Sequence, residues 1–537
     1  MKKIVLITLT FFLLVILTAT TWLYFAFLYT KPLTQAQLKN LTPDWSKATQ
    51  GNWSPWHTKP DGSKTWNPTA SFNQWLATIP ENQKAWPVLI DIYISEEHLF
   101  DRTLLDANPG TDQWNQLTKL LDQPESKATI AQLTEALNRP HFGFALYSST
   151  DQYEHDALIK NNKEDKNWNP NPEQNPSLYN LKNSLFPKLH HTTLLLIASA
   201  KHQLINNNPD TFVQQVETLI NARKLPHESP NTNSWLIGMA IEGLSYQSIS
   251  WALQNHPEKL TDKHLASLQS TIGDLSNRTI VWESHALEFH DTFRRIASTN
   301  GSLDPFDLTK NLNIPNFIST PPTNLPDSAL HHSLQRTLWI LNTTAKQATP
   351  LSKFNRPKDM PTTKEIYELH KNSLSKFTFL LSDPFIPYLD AVATRNRMHI
   401  QNSIAIQLTI AIHRHKLRHN EFPQSIAAID TDLLPITPTD AFSGQPLKYK
   451  LTNTGPIIYS IGDNRIDNGG IQRWTIKDYG QYGSPPLLAR IVSHPNWNRT
   501  PQETAQLLKD DPDSIAGDHI IFPPQKNDPE PHFDDGD

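Results

Sequence analysis

Residues Ile4–Tyr29 form a run of 26 residues without a charge, directly after Met1, Lys2 and Lys3. A helix crosses a bilayer with about 20 apolar residues. A cleaved signal peptide has a shorter apolar region and a small-x-small cleavage site. Here the run continues through Trp22, Tyr24, Phe25, Phe27 and Tyr29, where an interfacial aromatic belt belongs. The expectation is an uncleaved, single-pass transmembrane anchor over residues 1–30, a signal-anchor. Lys2 and Lys3 favour a cytoplasmic N-terminus, and Lys31 and Lys39 on the other flank weaken that bias. The bulk of the chain is then expected outside the cytoplasm.

The remainder is polar enough for an aqueous compartment: mean hydropathy over the chain is -0.50. Cysteine is absent, which excludes disulfides, thiolate metal sites, iron–sulfur clusters and cysteine nucleophiles. Net charge is -5 and no basic run occurs, so nucleic acid is not an expected partner. No GxSxG, Walker A, GxGxxG or HExxH motif occurs. The 42 prolines predict many short elements joined by proline-marked loops.

Residues 31–160 read as a Trp/Pro-rich, membrane-proximal segment with helices. Its tryptophans, between residues 45 and 75, either pack a small domain, the plainer account, or stack on cell-wall sugars. Helices are expected in residues 81–100 and 112–123, and from a Ser126 N-cap to a stop before Pro140. Residues 160–176 are a polar linker or surface excursion. Residues 177–383 carry long apolar periodicities, such as Leu189, Thr193, Leu196 and Ile197, and then Phe212, Val216, Leu219 and Ile220. They predict antiparallel helix pairs with short loops. In residues 384–522 a long helix, from about Pro387 to His419, precedes a β module with strands in 446–453 and 455–462. Further strands are expected in 471–479 and near His519. Residues 523–537 read as an acidic disordered tail. The fold class expected is mostly α, with one transmembrane helix and a small C-terminal α+β module.

The C-terminal module is rich in turns: five of the 17 glycines fall between Thr439 and Gly470. Asn420, Phe422 and Pro423 close the long helix. Asp440, Phe442, Gly444, Pro446 and Tyr449 lead into a hairpin, followed by Tyr459, Ser460, Gly462, Asp463, Asn464, Asp467 and Gly469. In these residues, about 85 of the 537, the chain resembles the globular domain of the major pseudopilin of type II secretion systems. Ala441 replaces that family's proline, and the N-terminus lacks its Gly-Phe cleavage site and fifth-position Glu. The whole chain resembles instead a family of membrane-anchored bacterial proteins that end in such a module. That resemblance implies a bacterial inner (cytoplasmic) membrane location and the module's fold, and no named activity. It also implies a calcium loop. Asp463, Asn464, Asp467 and Asn468 are the candidate oxygen ligands, on a backbone turned by Gly462, Gly469 and Gly470. An Asx/Gly turn joining two strands is the plainer alternative.

Three other groups have the residue types for chemistry. His415 and His419 share one helical face, as zinc requires, with no third ligand indicated in the sequence. Histidines near a helix C-terminus are also favoured by the macrodipole alone. Glu283, His290 and Arg294 line one face and read as an acid/base pair or a salt-bridged stripe. Glu242, among small and apolar neighbours, reads as a buried carboxylate with a raised pKa or as a satisfied structural one. Three function classes stay open: a non-enzymatic envelope binding or assembly protein, an envelope hydrolase using these carboxylates and histidines, and a secretion-system accessory.

Overall fold

The computed structural model of the chain describes residues 52–105, 107–146, 185–230, 232–273, 385–434, 436–441, 443–453, 455–461 and 519–522. It also describes single positions: Thr49, Leu178, Ser284, Leu287, Glu288, Asp291, Asp467, Gly469 and Gly470. The expected anchor at 4–29, the helices at 327–348 and 362–382, the strand at 471–479 and the tail at 523–537 lie outside these residues. So do Glu283, His290 and Arg294. Among the described residues no helix is long and apolar enough to cross a membrane.

What is described is mostly helical, with two small antiparallel sheets. The first sheet pairs β1 (Trp56–Thr58) with β2 (Lys64–Trp66). Between them Asp61 accepts from the Ser63 amide at 2.8 Å, and Gly62 takes a φ of 83°, as a tight turn requires. In the sequence Pro60-Asp61-Gly62 marks this turn, but no strands are among the expectations for residues 31–160. The tryptophans pack locally: Trp56 meets Trp66 edge-on at 5.3 Å, and Trp53 meets Phe72 at 5.6 Å.

Helices α1 (Pro68–Leu76), α2 (Trp86–Ser95), α3 (Asp112–Leu121) and α4 (Pro124–Leu137) follow. Asn67 caps α1 by accepting from Ala70 N at 3.1 Å, and Thr111 caps α3 by accepting from Trp114 N at 3.2 Å. The expected Ser126 cap is corrected. Helix α4 starts at Pro124, whose fixed φ and missing N–H suit the first helical position, so Ser126 is already inside the helix and buried.

Next come α5 (Leu185–Ile205), α6 (Pro209–Ala222), α7 (Thr232–Asn255) and α8 (Asp262–Ile272). Asn207 adopts a φ of 63° in the short link that turns α6 back onto α5. The periodic residues Leu189, Thr193, Leu196, Ile197, Phe212, Val216, Leu219 and Ile220 are all buried. Helix α9 (Phe385–His419) packs on α7 and α8. It also carries a sheet of order β3 (Lys448–Thr452), β4 (Gly455–Ser460), β5 (His519–Phe522).

Two apolar cores result. The first joins α1–α4 and the 142–146 strap to the near ends of α5–α7 and to Leu287. The second joins the other ends of α5–α7 to α8, α9 and the C-terminal module, including Leu447, Ile458 and Phe522. Helices α5, α6 and α7 therefore form a wall with one core at each end.

Two glycines of α7 sit in opposite circumstances. A Cβ on Gly238 would run into the Arg223 carbonyl oxygen and the His227 ring, whereas one on Gly243 meets nothing within 4 Å. Gly238→Ala should therefore cost about 1–3 kcal/mol by overpacking, despite alanine's better helix propensity. Gly243→Ala should gain up to about 1 kcal/mol. Denaturant unfolding of the two variants checks both signs.

Candidate functional site

Glu242 is a buried charged group held by side chains from three segments. It lies on α7 and is 1% exposed. A carboxylate so far from water needs compensating charge and hydrogen bonds. Arg223, just beyond α6, donates through Nη1 to Oε1 at 2.8 Å and Oε2 at 2.9 Å. Tyr246, one turn along α7, donates its hydroxyl to Oε1 at 2.5 Å. His399 on α9 donates through Nε2 to Oε2 at 2.8 Å. Ser403 Oγ lies 3.1 Å from the Tyr246 hydroxyl and 2.9 Å from the His399 carbonyl oxygen, and its single proton serves one or the other. Beside this group His227 stacks on Trp235 at 5.4 Å and donates to its carbonyl oxygen at 3.2 Å. Burial, then the neighbouring Arg223, lowers the His227 pKa to about 4.

Of the two readings of Glu242, the satisfied structural carboxylate fits this geometry. Both oxygens are taken by groups from three segments. Ser403 bonds a phenol and a backbone oxygen, so no hydroxyl is aligned on the His399 imidazole as a nucleophile requires. Arg223, Tyr246, His399 and Ser403 were not anticipated from sequence. The local signals were two i, i+4 spacings, Glu242 with Tyr246 and His399 with Ser403.

Three further carboxylates escaped the sequence reading: Glu228, whose side chain is 11% exposed, and the buried Glu288 and Asp291. Glu228 crosses to the 141–143 strap. It accepts from Phe142 N and Gly143 N at 2.9 Å each and faces His141 Nδ1 at 2.8 Å. Burial raises its pKa, against those donors. Glu288 accepts from the amide and the hydroxyl of Thr232 at the start of α7. Burial pushes the Glu288 carboxyl up to about 7, with Asp291 adding repulsion. Asp291 is fully buried and accepts from Trp66 Nε1 at 3.1 Å and Leu178 N at 3.0 Å.

In the C-terminal module Asp440 is buried. It accepts from Ser460 Oγ at 2.9 Å and Ile461 N at 3.0 Å. Gly444 N reaches the Asp440 carbonyl oxygen at 2.8 Å with φ of 72°. Tyr449 donates to the Pro423 carbonyl oxygen at 2.6 Å. Of the four candidate calcium ligands, Asp463, Asn464 and Asn468 lie outside the described residues. Asp467 accepts from Tyr459 at 3.2 Å and Gly469 N at 3.0 Å, and pairs with Lys448 at 3.2 Å. Partial burial pushes its carboxyl up; the Gly469 amide, Lys448 and Tyr459 outweigh this and hold it below its usual value. His415 and His419 do meet a third group, Asp430, which the sequence did not indicate because it arrives from the turn beyond the helix.

Removing the Glu242 carboxylate strands Arg223 and His399, so Glu242→Ala should cost about 3–5 kcal/mol, read by chemical denaturation. Glu288 makes stability depend on pH. Its folded pKa lies above the usual value near 4.5, so its contribution is fully present below pH 4.5 and is lost as pH rises through about 7. His227 and His413, both lowered to about 4, act oppositely, losing stability as pH falls from 6.5. The difference between wild type and Glu288→Gln isolates the carboxyl. It should change by about 3 kcal/mol in favour of the variant between pH 4.5 and pH 8, followed as unfolding free energy against pH. No family model, curated protein or solved structure matches this chain.

Proposed function

We propose that the chain is a single-pass, membrane-anchored extracytoplasmic protein of the bacterial envelope, which binds or assembles partners rather than catalysing a reaction. The observation that carries this reading is the closed set of partners around Glu242. A catalytic carboxylate or imidazole has to face substrate within hydrogen-bond reach. Here the acid, the histidine, the phenol and the guanidinium face one another.

The anchor assignment rests on the uncharged run Ile4–Tyr29. The pseudopilin-like reading of the C-terminal module is supported by the work its motif residues do. Asp440 holds Ser460, and Tyr449 holds the Pro423 carbonyl, so residues from all three motif segments are joined. We assign calcium to the 462–470 loop, with Asp463, Asn464, Asp467 and Asn468 as ligands. Lys448 now neutralises Asp467, so an ion there displaces an ammonium rather than filling an uncompensated site, and a weak, millimolar affinity is expected.

Thermal melts of the full chain in calcium and in chelator test the ion. A ligand bound only by the folded state adds RT ln(1 + [L]/Kd), about 1.4 kcal/mol at tenfold saturation. The calcium shift should vanish in Asp463→Ala and Asp467→Ala and persist in Lys448→Met. The binding role is tested by photo-crosslinking in intact cells from Lys450, exposed on β3. Discrete adducts that survive Glu242→Gln are expected. Loss of a cell-wall hydrolytic activity in a folded Glu242→Gln protein would instead make the chain an enzyme.

A further inference from the structure

The last turn of α9 and the turn that follows it bring together a set of side chains that the calcium assignment does not use. One nitrogen from His415, one from His419 and one Asp430 oxygen all lie within 4.8 Å of one another. His419 Nε2 is 3.2 Å and 3.0 Å from the two Asp430 oxygens, and His415 Nδ1 is 3.7 Å from Oδ1. The two imidazoles lie side by side, with centroids 4.3 Å apart. His415 is buried, and its Nδ1 has no hydrogen-bond partner among the described residues. An orphaned buried nitrogen costs about 1–3 kcal/mol, so it is a group in search of a partner, aimed at Asp430.

We infer that His415, His419 and Asp430 form a binding site for a borderline divalent transition metal, zinc above all. Two ligands on a tetrahedral zinc, each about 2.0–2.1 Å from the ion, are about 3.3 Å apart. The two nitrogen–oxygen separations, 3.0 Å from His419 and 3.7 Å from His415, straddle that figure. The donor set is two imidazoles and one carboxylate, which suits zinc and not calcium, an ion that takes oxygens. Neighbouring cations do not close the site. Arg418 lies 3.6 Å from Asp430 Oδ2, but its closer partner is Asp432 at 2.8 Å. Lys416 lies over the Phe422 ring at 4.2 Å, and Arg414 is held by Asp262 at 2.6 Å. With three protein ligands, a water or a partner's side chain completes the coordination. The ion staples the end of α9 to the turn that opens the C-terminal module.

The test is zinc titration of the chelator-stripped full chain by calorimetry and native mass spectrometry. One zinc per chain is expected. Binding should weaken at least about tenfold in His419→Gln and in Asp430→Asn, both at positions that tolerate change because they are partly exposed. Glu135→Gln, at an exposed carboxylate on α4 that touches none of the three ligands, should bind as wild type does. Cobalt(II) should give the intense visible bands of a tetrahedral ion, displaced by zinc and not by calcium. The inference is overturned if wild type takes up no stoichiometric zinc, or if His419→Gln and Asp430→Asn keep wild-type affinity.

Discussion

Burying the Glu242 carboxylate obliges three distant segments to stay together. The residue lies on α7 at the point where that helix passes from one apolar core to the other, with Ile241 in the first and Tyr246 in the second. The pair with Arg223 spans 19 residues and the pair with His399 spans 157. A lone ionised group at this depth is costly enough that the chain would neutralise it or expose it. It remains only while α6, α7 and α9 are all docked. Replacing such a cluster with apolar residues is often neutral or stabilising, so its value lies in specifying one arrangement. It fixes the register of α9 against α7, and α9 is the helix that carries the C-terminal module.

The same logic recurs with glutamine. Gln269 on α8 donates to the Leu433 carbonyl oxygen at 2.8 Å. Gln407 on α9 donates to the Gly273 carbonyl oxygen at 2.8 Å, and Gln401 accepts from Ala441 N at 2.6 Å. Each amide satisfies a backbone group that a turn or helix end would otherwise leave unpaired. A module built on turns has many such groups. Long amide side chains on the neighbouring helices are the means by which this fold supplies them.

Helices were legible in the sequence wherever one face is apolar at a 3.6-residue period, as in α5 and α6. The long helix α9 was legible to within two residues of its start. Boundaries failed where two signals competed. Ser126 looked like a cap, but Pro124 two residues earlier already fits the first helical position. The β1–β2 hairpin failed because strands of three residues carry no measurable alternation, and only its Pro-Asp-Gly turn marks it. The buried polar clusters were half legible. His415 and His419, or the isolation of Glu242 among apolar neighbours, follow from spacing on one helix. Their partners Asp430, Arg223 and His399 come from other elements, and no local pattern records which helix faces which.

How the C-terminal module is held can be decided by magnitude. Its visible ion pairs, Arg418 with Asp432 and His419 with Asp430, are substantially exposed, and such pairs contribute about 0–1 kcal/mol each. Leu447, Ile458 and Phe522 are almost wholly buried against α9, and each is worth about 1.5–3 kcal/mol relative to exposure. Apolar burial therefore sets the attachment, and the hydrogen bonds to Gln269 and Gln401 set its angle. The exposed charges at the end of α9 are then not needed to hold the module, which leaves His419 and Asp430 available to a ligand without loss of the fold. The opposite holds for Glu242, whose partners cannot be diverted without separating α9 from the helical wall.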